Sequence, residues 1–299
     1  MDSIKRILVY LSKDNSLPQC AQFIQSVTRY FGSNQEDKVM VNCGINKNRF
    51  IISDQEFRDS TRVPLKRANM CPINNLEEGQ AATLTEDVLS RGVDVGVAVI
   101  LQTANQKILL TRRSPTLRIF PNVWVPPGGH IEQDEQIIDA GLRELKEETG
   151  LQLKDGEFSW RMLGLWESVF PPLLSRGLPT RHHVVVYVRI LSGETHHKLQ
   201  EILNPDESEV SACAWLDTSM VEMIVSAGKE ANLTGIPQNM PLTIGATEMC
   251  NGSMVHVDLQ ASTLLSTVPE AGADVERVST GTKYALQLWL DTLSQNKNL

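Results

Sequence analysis

The chain lacks most of the features that mark specialised sequences. None of its apolar runs approaches the roughly 20 residues that cross a bilayer, and the first, residues 7–11 behind Asp2, Lys5 and Arg6, is also too short for a signal-peptide core. It has no basic surplus: 28 Lys and Arg face 36 Asp and Glu, for a formal charge of -8. Broad binding to a nucleic-acid backbone needs a cationic field, so DNA and membranes are not expected partners, and any RNA contact must be local or metal-mediated. The five cysteines (Cys20, Cys43, Cys71, Cys213, Cys250) are odd in number, widely spaced and form no C-x-x-C pair. Neither a disulfide framework nor a zinc site is indicated, and a reducing, cytoplasmic setting is expected. The closing Lys297, Asn298 and Leu299 end in leucine but lack the basic residue before it that the S-K-L address uses. Internal repeats and long low-complexity runs are absent as well.

What is present suits an ordinary globular protein: 41% of 299 residues are hydrophobic and 21% charged, enough for one large core or one domain with appendages. Residues 7–11 read as a strand, a helix is expected from Leu17 through Phe23, Ile24, Val27 and Phe31, and short strands follow at 39–43 and 49–52. Residues 54–91 read as a polar connector. A strand buried on both faces is expected at 93–101, a partner at 107–111, a short extended stretch at 124–127, a helix at 135–149, and strands at 162–167, 183–191 and 210–216. The tail reads as a helical stretch to Val225, a loop over 235–245, a strand at 254–259 and a closing amphipathic helix. Ser279 or Thr280 would cap that helix, with Tyr284, Leu286, Leu288, Trp289 and Leu290 apolar. The fold class is therefore α+β with a mixed sheet, organised as an N-terminal α/β extension and connector (1–90), a central domain (91–220) and a C-terminal extension (221–299).

Residues 129–151, GHIEQDEQIIDAGLRELKEETGL, carry the chemistry. On a helix of about 100° per residue, Glu144, Glu147 and Glu148 fall within an arc of about 100°, while Ile138, Leu142 and Leu145 form the expected core side. Three crowded carboxylates raise one another's pKa unless a divalent cation neutralises them. Hard oxygen ligands suit Mg²⁺ or Mn²⁺. Ahead of the helix, Pro126, Pro127, Gly128 and Gly129 form a turn open to close backbone approach, and Gly150 stands where a helix-ending residue takes positive φ.

This segment matches the box G-x5-E-x7-R-E-U-x-E-E-x-G-U (U aliphatic) of the Nudix hydrolases at every specified position, a coincidence below about one in a million by composition. The resemblance implies a Nudix fold, a mixed sheet sandwiched between helices. It also implies that Glu144, Glu147 and Glu148 hold metal together with the Gly128 carbonyl, and that Glu144 orients or deprotonates the attacking water. Arg143 and Glu135 would restrain the loop and the glutamates. The chemistry would be water attack on phosphorus with no covalent enzyme intermediate.

The segments RGVDVGVAVILQ, LLTRR, PNVWVPPGGH, LGLWESVFPP and VSTGTKYALQLWL resemble the mRNA-decapping branch of that family, which implies hydrolysis of m7GpppN ends to m7GDP. A cap needs aromatic faces for guanine and cations for its phosphates. Trp124, Trp166 and Phe170 are candidates for the first; Arg112, Arg113 and Arg118 before the box, and Arg176, Arg181, His182 and His183 after it, for the second. Each has a plainer reading as core packing, solvated charge or a strand start. Glu167 and Glu209 are candidate fourth carboxylates. Residues 109–118 partly resemble coenzyme A diphosphohydrolases, making a coenzyme A or other ADP-linked metabolite the alternative substrate, whereas the Ser-Gln-Pro-Trp-Pro element of NADH diphosphatases is missing. A ligand-binding module without catalysis would be expected to lose box carboxylates, and this chain keeps them. Self-association is left open.

Overall fold

A computed structural model describes residues 6–33, 35–227, 241–266 and 275–296. Asp2 and Lys5, the expected loop over 235–240 and the Lys297–Asn298–Leu299 end lie outside the described residues. In chain order the elements begin with β1 (Leu8–Ser12), β2 (Gln19–Cys20), α1 (Val27–Phe31), β3 (Lys38–Asn46), β4 (Arg49–Ser53), β5 (Thr61–Arg67), α2 (Glu78–Ala81) and α3 (Glu86–Leu89). Next come β6 (Asp94–Gln102), β7 (Ile108–Arg113), β8 (Val123–Val125), β9 (Gly128–His130), α4 (Ile137–Thr149), β10 (Phe158–Phe170), β11 (Arg181–Ser192), α5 (His196–Ile202) and β12 (Val210–Leu216). The remainder is α6 (Thr218–Ser226), β13 (Thr243–Cys250), β14 (Ser253–Gln260), α7 (Ala261–Leu265), β15 (Arg277–Val278) and α8 (Thr280–Asn296). Parallel and antiparallel strand pairs together with helices make this an α+β fold with mixed pairing.

The chain forms two compact units. The first contains Met1–Ala98, Gly129–Gly141 and Met162–Val188. Here β1 runs parallel to β4, β3 lies antiparallel to both β4 and β5, and Leu165, Trp166 and Glu167 of β10 run parallel to Leu65, Lys66 and Arg67. Alternate apolar residues such as Ile7, Val9, Val41, Phe50, Ile52 and Leu65 supply its core, the period-2 signature of strands. The expected helix from Leu17 shrinks to α1. Pro18 biases its predecessor toward extended backbone, Gln19 and Cys20 pair with Leu11 and Tyr10, and Ser26 caps the short helix by accepting from the Arg29 N–H. The expected connector 54–91 is also ordered: it contains β5, and Cys71, Ile73, Leu84 and Val88 pack around Phe23 and Val169. Gly96 on β6 is a site of close approach, since a Cβ there would stand 2.9 Å from the carbonyl oxygen of the box residue Gly129.

The second unit contains Val99–Gly128, Leu142–Arg161 and Arg189–Leu299. Its strands run β7, β12, β13, β14, each antiparallel to the next, while β8 joins β7 antiparallel and β15 parallel. Ser279 caps α8 by accepting from the Thr282 N–H at 2.9 Å. Tyr284, Leu286, Leu288 and Trp289 are buried, and the indole N–H of Trp289 donates to Gln102 Oε1 at 2.9 Å. Strand β13 occupies part of the stretch expected to be a loop: Ala246, Thr247 and Glu248 pair with β12, and pairing with β14 carries the strand back through Gly245 to Thr243. Helices α5 and α7 are short, five to seven residues, and left no periodic trace to read.

Candidate active site

The site is built on α4, where Ala140 and the run 142–148 favour helix and offset the interior Gly141. Its buried stripe runs through Ile137, Ala140, Gly141, Leu145 and Glu148, an i, i+4 progression. This corrects the expected core face: Leu145 is fully buried, but Ile138 and Leu142 are only half-buried. It also separates the three glutamates. Glu147 is largely in solvent, Glu144 is mostly covered, and Glu148 is 4% exposed.

That burial sets the electrostatics. Glu148 has its pKa raised to about 8, chiefly by desolvation and further by the charges of Glu144 and Glu209, against the opposing pull of Arg113 and a hydrogen bond from the Gly128 backbone. Burial likewise pushes Glu144 up, with Glu147 and Glu209 adding to it, while its contact with Arg143 opposes the rise. The Arg143 guanidinium donates to Glu144 Oε1 at 2.8 Å and to Glu147 Oε2 at 3.0 Å, bridging the two outer carboxylates.

The end of α4 fixes the rest of the site. Gly150 takes φ +73°, and the N–H groups of Asn204 and Asp206 donate to the carbonyls of Thr149 and Glu148 at 2.8 and 3.1 Å, satisfying orphan acceptors of the last turn. The chain then reaches Glu209, whose carbonyl accepts from the Ser114 N–H at 2.7 Å. Docking of residues 204–209 on the helix end is thus what brings Glu209 within electrostatic range of Glu144, Glu148 and Arg113.

Among the described residues, no group of three or more His, Cys, Asp or Glu is already gathered to hold a metal ion. The donor set nevertheless fits a hard cation. Glu148 Oε2 is buried with no hydrogen-bond partner, the charges of Glu144 and Glu209 act on the carboxyl, and the Gly128 backbone hydrogen-bonds to it. A buried, unsatisfied carboxylate oxygen is costly by itself and is relieved by a cation.

The other candidates fall into different places. Arg113 donates to the carbonyls of Ile119 and Phe120 and supports Glu148 from inside the fold, and burial lowers its pKa. Arg112 is held by Glu248 at 2.9 Å, Glu276 at 3.2 Å and Ser211 at 2.9 Å, with its guanidinium 5.8 Å from the Trp124 ring. Trp124 is 0% exposed and spends its indole N–H on Glu276, so it presents no ring face for stacking. Trp166 is buried and Phe170 half-buried, both on β10 in the first unit. Arg118 is exposed, Arg176 and Arg181 are half-buried, and Glu135 accepts from the Glu132 N–H.

Glu167, a candidate fourth carboxylate, is committed elsewhere. It is buried and accepts from the N–H groups of Val27 and Thr28 at 2.9 and 2.8 Å, from Ser26 Oγ at 3.3 Å and from His182 at 3.2 Å. Burial raises its pKa, but the His182 and Thr28 hydrogen bonds outweigh this, and the net shift is downward. His182 also contacts the Phe23 carbonyl at 2.7 Å, so this buried pair organises the first unit. Sequence reading missed Glu276, which no spacing or pattern marks.

The NUDIX domain family matches residues 92–232. Together with relatives similar along its whole length, this establishes that the chain belongs to the NUDIX hydrolase family. Those relatives are named m7GpppN-mRNA hydrolase NUDT17. The protein from Xenopus laevis is 54% identical, covering 100% of this chain and 99% of its own length. That from Danio rerio is 52% identical, covering 100% of both. That from Homo sapiens is 43% identical over 93% of this chain and 86% of its own.

Proposed function

We propose that the chain is a divalent-metal-dependent hydrolase of m7GpppN-capped RNA that releases m7GDP, with Mg²⁺ or Mn²⁺ held by Glu144, Glu147, Glu148 and the carbonyl of Gly128. The buried, unpartnered Glu148 Oε2 beside Glu144 and Glu209 carries the chemical part of this reading. The substrate rests on relatives at 43–54% identity that bear the m7GpppN-mRNA hydrolase name. A bound divalent cation supplies Lewis acidity and lowers the pKa of water. Glu144, mostly covered but not fully buried, orients the water and takes its proton. Glu209 acts as the fourth carboxylate, and Arg143 positions Glu144 and Glu147. The central domain spans 91–220, flanked by N- and C-terminal extensions, and the free cysteines are in keeping with a cytoplasmic location. No helix among the described residues is long and apolar enough to cross a membrane.

The first trial is cap-labelled m7G-RNA incubated with Mg²⁺, with Mn²⁺ or with chelator. Labelled m7GDP is expected in the first two and none in the third. Product formation that ignores the chelator, or m7GMP as the labelled product, would refute the reading. Coenzyme A hydrolysis gains nothing from the segment that suggested it, because Arg112 and Arg113 are both engaged within the protein.

A further inference from the structure

The hairpin of β13 and β14 closes the ladder of the second unit, and among the described residues β14 pairs with β13 alone. Its loop is Asn251–Gly252, both at positive φ (51° and 75°), between the paired residues Cys250 and Ser253. A two-residue loop of this kind is closed by a hydrogen-bonded pair, and such pairs alternate along an antiparallel ladder. Counting from Ser253, residues 253, 255, 257 and 259 therefore turn their main-chain groups toward β13. Met254, His256, Asp258 and Gln260 turn theirs outward.

An outward row of main-chain donors and acceptors invites another strand, and monomeric proteins blunt it with Lys, Pro, a bulge or covering structure. Among the described residues no strand pairs with its outer edge, SMVHVDLQ contains no Lys, Arg, Pro or Gly, and its register with β13 is unbroken over eight pairs. Most of its side chains are exposed, including Met254 and Val255 at 44% and 43%. Its two ionisable side chains, His256 and Asp258, are of opposite kind and two residues apart on one face.

We propose that β14 is a homodimer edge, two copies of this chain pairing β14 with β14 antiparallel about a twofold axis through Val257. The inference is independent of the proposed activity. Only even shifts bring outward groups opposite outward groups. Of these, the one centred on Val257 places His256 against the partner's Asp258 and Met254 against the partner's Gln260. On the other face it sets Val255 against the partner's Leu259, and Val257 against its own copy. Centring instead on His256 or Asp258 would stack like residues, which is unfavourable for charge. The Gln260 carbonyl already serves the first turn of α7, so the chosen register exchanges about six main-chain hydrogen bonds, and it is isologous, as a closed dimer requires.

Sedimentation of the full chain over a wide concentration range tests this. A monomer–dimer equilibrium is expected. His256→Pro removes an outward N–H while sparing the pairing with β13, and should leave monomer. His256→Asp sets carboxylate against carboxylate twice and should weaken the dimer about tenfold or more, while adding Asp258→Lys should restore it. Val257→Cys should yield a disulfide between the two introduced thiols on oxidation. A wild-type chain that stays monomeric throughout, or a dimer indifferent to both His256 substitutions, overturns the proposal.

Discussion

Replacing Glu148 by Gln separates what the buried carboxylate costs from what it does. With a folded pKa of about 8 against an ordinary 4.5, Glu148 binds a proton in the native state that the unfolded chain has lost. Stability from this group is therefore fully present below about pH 4.5 and declines as the pH rises toward 8. At pH 7 the penalty is about 3 kcal/mol. Gln keeps the shape without the charge, but its amide must find an acceptor, so the expected gain is about 1 to 3 kcal/mol. Urea unfolding of the chelator-treated proteins should give curves that nearly coincide at pH 5 and diverge at pH 8, with the variant the more stable. The same substitution should lower turnover of capped RNA by about 10² to 10⁴, and added Mn²⁺ should stabilise wild type more than the variant. A variant less stable than wild type at pH 8 without metal, or one with wild-type turnover, would refute this account of the site.

Glu209→Gln should reduce turnover by roughly tenfold to a hundredfold with little loss of stability, assayed by m7GDP release; unchanged turnover would remove Glu209 from the site. Glu167→Gln should do the reverse, costing about 2 to 4 kcal/mol in urea unfolding because buried donors from Val27, Thr28 and His182 lose their carboxylate. The carboxyl of Glu167 is held below its ordinary range, so its contribution is present above the unfolded pKa and fades as pH falls. The wild-type advantage should accordingly narrow in acid. Gly150→Ala forces a Cβ to within 2.9 Å of the Asn204 Cβ at φ +73°, and should cost about 2 kcal/mol or more. It should also lower turnover by loosening the segment that carries Glu209; a calorimetric Tm equal to wild type contradicts this.

The box helix could be read in advance because its spacing encodes both a buried stripe and a polar face within one continuous segment. The strands at 93–101 and 210–216 were readable for a similar reason, being apolar and flanked by polar turns. What could not be read depends on contacts distant in sequence. Glu148 looks like its neighbours Glu144 and Glu147 in a helical projection, and only packing shows that it points inward. Arg112 and Trp124 look like ligands for a cap until Glu276, more than 150 residues later, is found to occupy them. Glu167 and Glu209 were indistinguishable as acidic residues at strand ends; the cap of α1 claims one, and docking of 204–209 on α4 presents the other. The segment 54–91 looked like a connector because its apolar residues, spaced without period, find their partners in Phe23 and Val169.

The most direct measurement of the central claim is a competition in one tube between m7G-capped RNA and coenzyme A, with Mg²⁺ or Mn²⁺ present and the products separated chromatographically. m7GDP is expected as the dominant product, with the larger kcat/KM for the capped RNA. Preferential cleavage of coenzyme A, or turnover of neither, would contradict that claim.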